Sequence, residues 1–467
     1  MLITFVTSFL FLFLQLVVPT RGETPPLASY DSIFLDPNYI VNGNFPSTTW
    51  QAKDTIVQWA EDLVSLGPWS VMNKSVTPPS GDKHDYMSWA IYWWPDCSNV
   101  RNTTLLPPEQ VWTECTYVQR DGDINPDVRT VVDDVGSFAN LSDAVLYNTL
   151  AWSLNKDNDS ASVYSQRTVN YINTWFLNNA TKMNPNLNYA QMHRGPTGQM
   201  GTKTGVLDAH PITKIVSSIL IMRMENNTDW TDDMHNQFVS WSNQYVQWLE
   251  TAKIAIQESE ATNNHGTYYY GQLAALKLLV GDMDGAKNAT ETYFNNQFQQ
   301  QINATGEQKH QELGRIITDS IIWRRWLYTN AQILSYLDPS SNAWNKTTAY
   351  GATIQTALDF ILTLNPSASN ESDQPSEFYV DVAAVAAVYG DPTHKYTSFL
   401  SSGDPNYAAQ AYFLWTQPLA GGTPPPSNST SSRKNGGFAV VPAADSKVIS
   451  IFSNLLADQL EGQTAAA

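Results

Sequence analysis

The chain contains few charged residues and very few basic ones. Only 15% of its 467 residues are Asp, Glu, Lys or Arg, against about 25% in an average globular protein. The 26 Lys and Arg residues are outnumbered by 44 Asp and Glu residues, which gives a formal net charge of −18. A chain this acidic lacks the basic surface of a nucleic-acid-binding protein. We therefore predict no nucleic-acid partner.

Several catalytic motifs are also missing. The sequence has no Gly-x-Ser-x-Gly, no His-Glu-x-x-His and no Gly-x-Gly-x-x-Gly after a strand. Their absence argues against a serine-hydrolase elbow, a zincin metalloprotease and a dinucleotide-binding domain. We predict neither a metal nor a cofactor. A glycosidase pair of carboxylates stays open, because its two members can come from distant segments.

Cysteine is almost absent. Cys97 and Cys115 are the two cysteines, eighteen positions apart in a stretch rich in Pro and Asn. This pattern suits one disulfide that closes a long loop in an oxidising compartment. A two-thiol metal site would need histidines at short spacing, and the sequence has none there.

The one long apolar run is at the start of the chain. Residues 2–18 are almost wholly apolar and precede Pro19-Thr20-Arg21-Gly22, which predicts a signal peptide over residues 1–22. An uncleaved anchor is the alternative, because the run has no preceding positive charge. After cleavage we expect no membrane segment and a secreted, extracellular product. Eleven Asn-x-Ser/Thr sequons predict N-linked glycans: Asn73, Asn102, Asn140, Asn158, Asn179, Asn226, Asn288, Asn303, Asn345, Asn370 and Asn428.

Most of the remaining chain has the periodicity of helices. Apolar residues recur at spacings of three and four, as in Ile56, Trp59, Ala60, Leu63 and Leu66. The other predicted helices are 160–177, 208–225, 231–254, 267–281, 284–300, 310–337, 345–363, 375–389, 405–416 and 444–458. Because strand-like alternation is scarce, we predict one all-α domain over residues 23–467, built from layered helical hairpins in a toroid or solenoid.

Three long segments rich in Pro, Gly and Asn separate these helices. They cover residues 67–128, 182–207 and 418–440, and the third has the composition of a flexible linker. Long loops in a compact protein are usually functional or disordered. We therefore look for functional residues in the first two.

The first loop contains a cationic and aromatic cluster at residues 80–97. It includes Lys83, His84 and Tyr86 with several tryptophans. Aromatic faces stack on sugar rings, and Lys or His can pair with an anionic group. The alternative is that the rings fill the core beneath a disulfide-bonded flap.

The second loop is rich in amides between residues 183 and 195. Tyr189 and Gln191 belong to it and are candidates for a sugar-binding groove. The alternative is a connector whose Asn side chains cap its own turns.

Residues 258–272 are the strongest candidate for a catalytic segment. Asn263, Asn264 and His265 precede a predicted helix start, and a helix that includes His265 would place Tyr268 and Tyr269 on its face. A base would then lie beside a phenol, although a lone histidine is often structural.

Farther on, Arg315 would be a substrate clamp or would pair with Glu312 or Asp319.

Together these segments resemble the alginate lyase family of polysaccharide lyases, over roughly residues 50–340. The resemblance rests on a few motifs: Ser80-Gly81-Asp82-Lys83-His84-Asp85-Tyr86-Met87-Ser88, Tyr92-Trp93-Trp94-Pro95-Asp96, Asn125-Pro126-Asp127, Trp175-Phe176 with residues 183–191, Asn263-Asn264-His265-Gly266, and Glu312-Leu313 with Arg315. It implies an α/α toroid and β-elimination on a uronic-acid polysaccharide, here by a secreted, fungal-type member.

The resemblance also implies roles for individual residues. Asn264 and Arg315 would neutralise the uronate carboxylate, and His265 would share that task or act as the base. The expected groove residues are Lys83, His84, Tyr86, Tyr189 and Gln191, and Tyr269 is a further candidate for substrate binding. An acidic chain needs a cationic groove for a polyanion, and the available cations are Lys83, Arg194, Lys203 and Arg315.

One family residue is replaced. The family usually has a Tyr six residues after the Arg, and Ile321 stands there. Another phenol must then take the role of acid, for which we consider Tyr189, Tyr268 and Tyr269, or activity is lost or altered. The rival functions are a non-catalytic carbohydrate-binding protein and a glycoside hydrolase on a similar toroid.

Overall fold

A computed structural model describes residues 24–30, 33–100, 106–120, 123–308, 316–364, 378–416 and 419–421, and for residues 316–326 it describes the backbone alone. The described residues form fifteen α-helices. They are α1 Pro37–Asn42, α2 Trp50–Asp62, α3 Pro108–Glu114, α4 Asp134–Asn155, α5 Ser162–Ile172, α6 Ile212–Met224, α7 Asp232–Thr251, α8 Lys253–Ser259, α9 Asn264–Leu279, α10 Met283–Asn295, α11 Gln297–Gln301, α12 Ile316–Leu337, α13 Ile354–Ile361, α14 Tyr379–Tyr389 and α15 Lys395–Gly403.

Two helices form the centre of the packing. Helix α4 packs against α2, α5 and α6, and α9 packs against α6, α10 and α12. Both helices are buried on almost every side, as expected for helices that are surrounded by others. The layered helical hairpins predicted from the sequence are thus confirmed.

The apolar stripe of α2 shows how periodicity translates into packing. Ile56, Trp59, Ala60 and Leu63 are fully buried in the main core, as the spacing predicts. Leu66 lies beyond the end of the helix and is 36% exposed, so the prediction is wrong for this residue because the helical register ends before it.

Two small sheets lie in the segments that were expected to be loops. Strands β1 (Met87–Trp89) and β4 (Tyr189–Met192) pair in parallel, with Met87 opposite Tyr189. Strands β2 (Trp93–Asp96) and β3 (Thr116–Gln119) pair antiparallel. Cys97 directly follows β2 and Cys115 directly precedes β3, and their disulfide is present with the Cα atoms 4.6 Å apart. The predicted disulfide is confirmed.

The remaining helix predictions differ in detail from the structure. Residues 405–416 form short 3-10 turns at Tyr407–Ala409 and Ala411–Leu414, and α15 was not predicted. The linker residues 422–440 and the predicted helix 444–458 lie outside the described residues. The segment Lys203–Met224 is apolar and long enough to cross a membrane. However, 89% of its apolar 18-residue stretch is buried inside the protein, as in the core helix of a folded domain.

Candidate active site

The Asn264-His265 pair lies at the first turn of α9. The Asn263 side chain accepts a hydrogen bond from the backbone N of His265 at 3.2 Å and so caps the helix, which is a common role of Asn. A Cβ on Gly266 would lie 2.2 Å from the carbonyl oxygen of Ala261. Glycine is therefore required here, because the preceding loop passes directly against the helix. The sequence predicted this helix from residue 267, and it begins three residues earlier, so Asn264 and His265 lie inside it.

His265 is paired with a carboxylate that sequence reasoning missed. Its Nδ1 lies 2.8 Å from Oε1 of Glu258, whose side chain is 0% exposed, whereas the His265 side chain is 22% exposed. The N–H is not aligned with the oxygen, since neither oxygen of Glu258 has a well-directed hydrogen-bond donor within the described part of the chain. The two side chains are therefore in close contact, and a small rotation of the ring would align Nδ1–H for a hydrogen bond.

The Glu258 carboxylate determines which ring nitrogen of His265 can react. A buried carboxylate costs free energy unless a positive or hydrogen-bonding partner offsets it. A hydrogen bond from Nδ1–H of His265 would meet that need, and it would leave Nε2 to accept or donate a proton. The same arrangement, in which an acid orients a histidine, recurs in catalytic triads. Glu258 was hidden in the sequence because it belongs to α8, and a helix break separates it from His265.

The two tyrosines that follow His265 point into packed surroundings. The Tyr268 ring packs edge-on against the ring of His210, with centroids 5.6 Å apart. The Tyr269 hydroxyl donates to the carbonyl oxygen of Leu249 at 3.0 Å, and burial raises the pKa of Tyr269. Both side chains are about 95% buried. Their predicted roles as catalyst and substrate ligand stay predictions.

The residues of the first loop are held by backbone contacts. Nζ of Lys83 donates to the carbonyl oxygen of Met72 at 3.3 Å, and Nδ1 of His84 lies 2.5 Å from the carbonyl oxygen of Lys182. Lys83 and His84 nevertheless remain partly exposed. Both can still meet a ligand.

A buried carboxylate, Asp208, joins two of the predicted groove residues. Its Oδ2 accepts hydrogen bonds from the hydroxyls of Tyr86 at 3.2 Å and of Ser88, and its Oδ1 accepts from Nε2 of Gln191 at 2.9 Å. Burial raises the pKa of the Asp208 carboxyl, and that of the Tyr86 phenol well above its ordinary value. Tyr86 and Gln191 thus use their polar atoms inside the protein, and their role in substrate binding stays a prediction.

The structure brings the first two clusters together. Nδ2 of Asn184 donates to Asp82 at 2.9 Å and to Asp85 at 2.8 Å. Tyr189, at the start of β4, is partly exposed beside β1. The segment Lys203–Ala209 packs against both β4 and α8. It therefore connects the strand that carries Tyr189 to the helix that carries Glu258.

The predicted set of groove cations is only partly available. The guanidinium of Arg194 makes two hydrogen bonds to Asp127, at 2.8 and 2.9 Å, and lies against the rings of Trp89 and Tyr117. Arg194 is 4% exposed, so its predicted contribution to the groove is wrong, because its charge is neutralised inside the protein. Lys203 is exposed, and Arg315 lies outside the described residues.

Asn264 is partly exposed beside His265, where an amide can donate to an anionic group. Ile321 belongs to α12, and its side chain is outside the described set. Within the described ranges, no group of three or more His, Cys, Asp or Glu side chains is arranged to hold a metal ion.

Comparison with known proteins shows the family of this chain. The sequence model of the alginate lyase family matches residues 70–372. The chain belongs to the alginate lyase family. A crystal structure of an alginate lyase from Bacteroides ovatus is similar with a TM-score of 0.69 and 26% sequence identity, covering 83% of this chain and 99% of the other. No curated protein matches significantly.

These matches define the fold and the class of enzyme. This member of the alginate lyase family has the α/α toroid predicted from its sequence, and it is a polysaccharide lyase. The family match begins ahead of the first loop cluster and spans the His265 region. It therefore includes every predicted site residue.

Proposed function

We propose that this lyase cleaves a uronic-acid polysaccharide of the alginate or glucuronan type by β-elimination. The observation that carries the proposal is the pair formed by His265 and the buried Glu258 at the start of α9. A histidine whose Nδ1 is fixed by a carboxylate offers Nε2 as a base. The family match and the bacterial alginate lyase support an acidic polysaccharide as the substrate.

The chemistry explains the residue types. The C5 proton of a uronate is weakly acidic, so amide and cationic groups must first neutralise its carboxylate and stabilise the developing enolate. We assign this role to Asn264 and Arg315. Nε2 of His265 then removes the C5 proton, the C5–H electron pair forms the C4–C5 double bond, and the C4–O4 bond breaks with its electron pair on O4. An acid protonates the departing oxygen.

Tyr189 is the phenol we assign as that acid. Ile321 occupies the position of the family tyrosine and cannot transfer a proton. Of the three tyrosines considered, Tyr189 is partly exposed, whereas Tyr268 and Tyr269 are buried. An acid that must reach a polymer needs an accessible hydroxyl, which favours Tyr189.

The test is an assay of the purified protein on polymannuronate, polyguluronate and glucuronan, following the absorbance of the unsaturated uronate. We expect release of this product from at least one polymer and its loss in His265→Ala. A flat trace on all three polymers contradicts the proposal. Products that have gained water would indicate a glycoside hydrolase, and binding without turnover would indicate a non-catalytic carbohydrate-binding protein.

We also propose that the enzyme is a secreted, fungal-type glycoprotein. The apolar segment 2–18 and the eleven sequons support this assignment. Expression of the full chain in a secretory eukaryotic host should release a glycosylated protein whose N-terminus lies near residue 23. A product that stays in the cell with residues 1–22 attached contradicts it.

A further inference from the structure

A cavity of about 320 Å³ opens between α2 and the connection from α4 to α5. Helix α2 contributes Trp50, Asp54 and Gln58, and the far wall is formed by Asn155 and Tyr164. Its volume lies at the lower end of the range for small-molecule sites, about 300–1,000 Å³. The cavity is therefore large enough for a small ligand.

The cavity is remote from the candidate active site. Asp134, the first residue of α4, accepts a hydrogen bond from the backbone N of Met87 in β1. Asn155, the last residue of the same helix, lines the cavity. The two ends of α4 are about 30 Å apart at 1.5 Å per residue. The cavity is therefore separate from the part of the candidate site that lies at β1.

The side chains of α2 in the cavity share one face of the helix. Trp50, Asp54 and Gln58 are spaced by four residues, which places them in one row. Trp50 is 46% exposed although it is the largest side chain in this row. An exposed tryptophan with polar neighbours is a common platform for a sugar ring, because the ring's C–H face stacks on the indole while its hydroxyls reach polar groups.

A second aromatic ring is held in position opposite α2. Nη1 of Arg167 pairs with Glu61 at 2.9 Å, and the same guanidinium lies 5.4 Å from the centre of the Tyr164 ring. One face of Tyr164 is thus occupied, and its position is fixed. Amides of Gln51, Gln58 and Asn155 complete the polar lining.

The charge of the lining selects among sugars. Asp54 and Glu61 are its charged side chains, and no Lys or Arg is among the described residues that line it. Glu61 is already paired with Arg167, so the described lining offers no Lys or Arg to the carboxylate of a uronate, the sugar assigned to the active site, and the carboxylate of Asp54 disfavours such a sugar. We propose that this cavity is a second, non-catalytic site that binds a neutral saccharide.

A sequon at the rim provides one source for that saccharide. Asn158, in Asn158-Asp159-Ser160, lines the cavity and is exposed. Its Oδ1 accepts hydrogen bonds from the backbone N and the hydroxyl of Ser160, at 3.1 and 2.9 Å. Both contacts use the oxygen, whereas an N-linked glycan attaches to the nitrogen. The first sugars of such a glycan would lie at the cavity, and a free neutral oligosaccharide is the other source.

Two measurements distinguish these sources. The first uses protein secreted from a eukaryotic host and follows, by mass spectrometry of glycopeptides, the release of glycans from the native protein by an endoglycosidase. If the glycan on Asn158 occupies the cavity, it is released about tenfold more slowly than the glycan on Asn179. Trp50→Ala should abolish the difference and Trp50→Phe should preserve it. If Asn158 carries no glycan, the protein's own glycan is excluded as the saccharide in the cavity.

The second measurement uses Asn158→Gln, which has no glycan at the rim. Titration with N,N′-diacetylchitobiose should give a saturable change in tryptophan fluorescence that is lost in Trp50→Ala. Either positive result supports the neutral-saccharide site. Equal release at both sequons together with no saturable binding overturns it, and so does tighter binding of an oligouronate at Trp50. Lyase activity should stay unchanged in Trp50→Ala, so failure here is separate from failure of the proposed function.

Discussion

The ammonium of Lys74 and the carboxylate of Asp134 form an ion pair 2.9 Å apart that is almost completely excluded from solvent. Lys74 also donates to the carbonyl oxygen of Lys83, and Asp134 also accepts from the backbone N of Met87. The pair thus holds both ends of the segment that carries His84 and Tyr86.

Removing one partner of this pair should be far more damaging than removing both. Lys74→Met leaves a buried, unpaired carboxylate, and we expect it to lower the free energy of unfolding by about 3–5 kcal/mol. The double variant Lys74→Met/Asp134→Leu should recover most of this loss. Urea denaturation of the two single variants and the double variant measures the coupling. Additive losses would contradict the assignment of one coupled pair.

The same carboxyl predicts a pH dependence of stability. Burial raises the pKa of Asp134 to about 6, from an ordinary value of about 3.9 in the unfolded chain. Between about pH 4 and pH 6 the folded protein therefore binds more protons at this site than the unfolded chain does. The contribution of Asp134 to stability is greatest below pH 4 and declines as the pH rises through 6. In Asp134→Asn this decline should vanish, so the free energy of unfolding should rise more steeply with pH than in the wild type. Parallel profiles for the two proteins would contradict the prediction.

Glu258 should matter for catalysis through His265. Glu258→Gln keeps the size of the side chain but removes the charge that orients Nδ1–H, and we expect kcat to fall by about 10²–10⁴-fold. Glu260→Gln, two residues farther along at an exposed position, is the matched control and should leave kcat unchanged. In the double variant Glu258→Gln/His265→Ala the loss should not exceed that of His265→Ala, because both residues act as one unit. Full activity of Glu258→Gln would exclude this role.

Two tyrosine-to-phenylalanine variants separate the proposed acid from a structural phenol. Tyr189→Phe should lower kcat by about 10²–10³-fold with little change in stability. Tyr269→Phe loses the hydrogen bond to Leu249 and should cost about 1 kcal/mol of stability, with kcat nearly unchanged. Initial rates and thermal unfolding of both proteins make the comparison. The reverse pattern would assign the acid to Tyr269.

Tyr86 is expected to act through Asp208 rather than through a sugar. Tyr86→Phe removes one of the donors to a buried carboxylate, and we expect a loss of about 1.5–3 kcal/mol in stability, while KM changes less than about threefold. A tenfold rise in KM at unchanged stability would instead make Tyr86 a substrate ligand.

Local patterns predicted the helical part of the molecule well. The spacing of Ile56, Trp59 and Ala60 requires a buried helix face, and Asn263 is a typical helix cap, so both features follow from neighbouring residues alone. The Cys97–Cys115 disulfide was also predictable, because the sequence offers no other pairing of cysteines.

The contacts that build the site were less accessible to sequence reasoning. Glu258 meets His265 across a helix break, where no periodicity relates the two positions. Asp208 collects hydrogen bonds from residues as much as 122 positions away, and Arg194 meets Asp127 across 67 positions. Such partners depend on how the helices are placed in space, which hydrophobic spacing does not encode.

The parallel pairing of β1 with β4 has a consequence for synthesis on the ribosome. About one hundred residues separate the two strands, and parallel strands gain their hydrogen bonds only after a long connection has closed. The segment around His84 therefore emerges well before its partners near Tyr189, and helices α4 and α5 are made in between. The part of the proposed site built on β1 and β4 should therefore form late during translation, after the helices made in between have begun to fold.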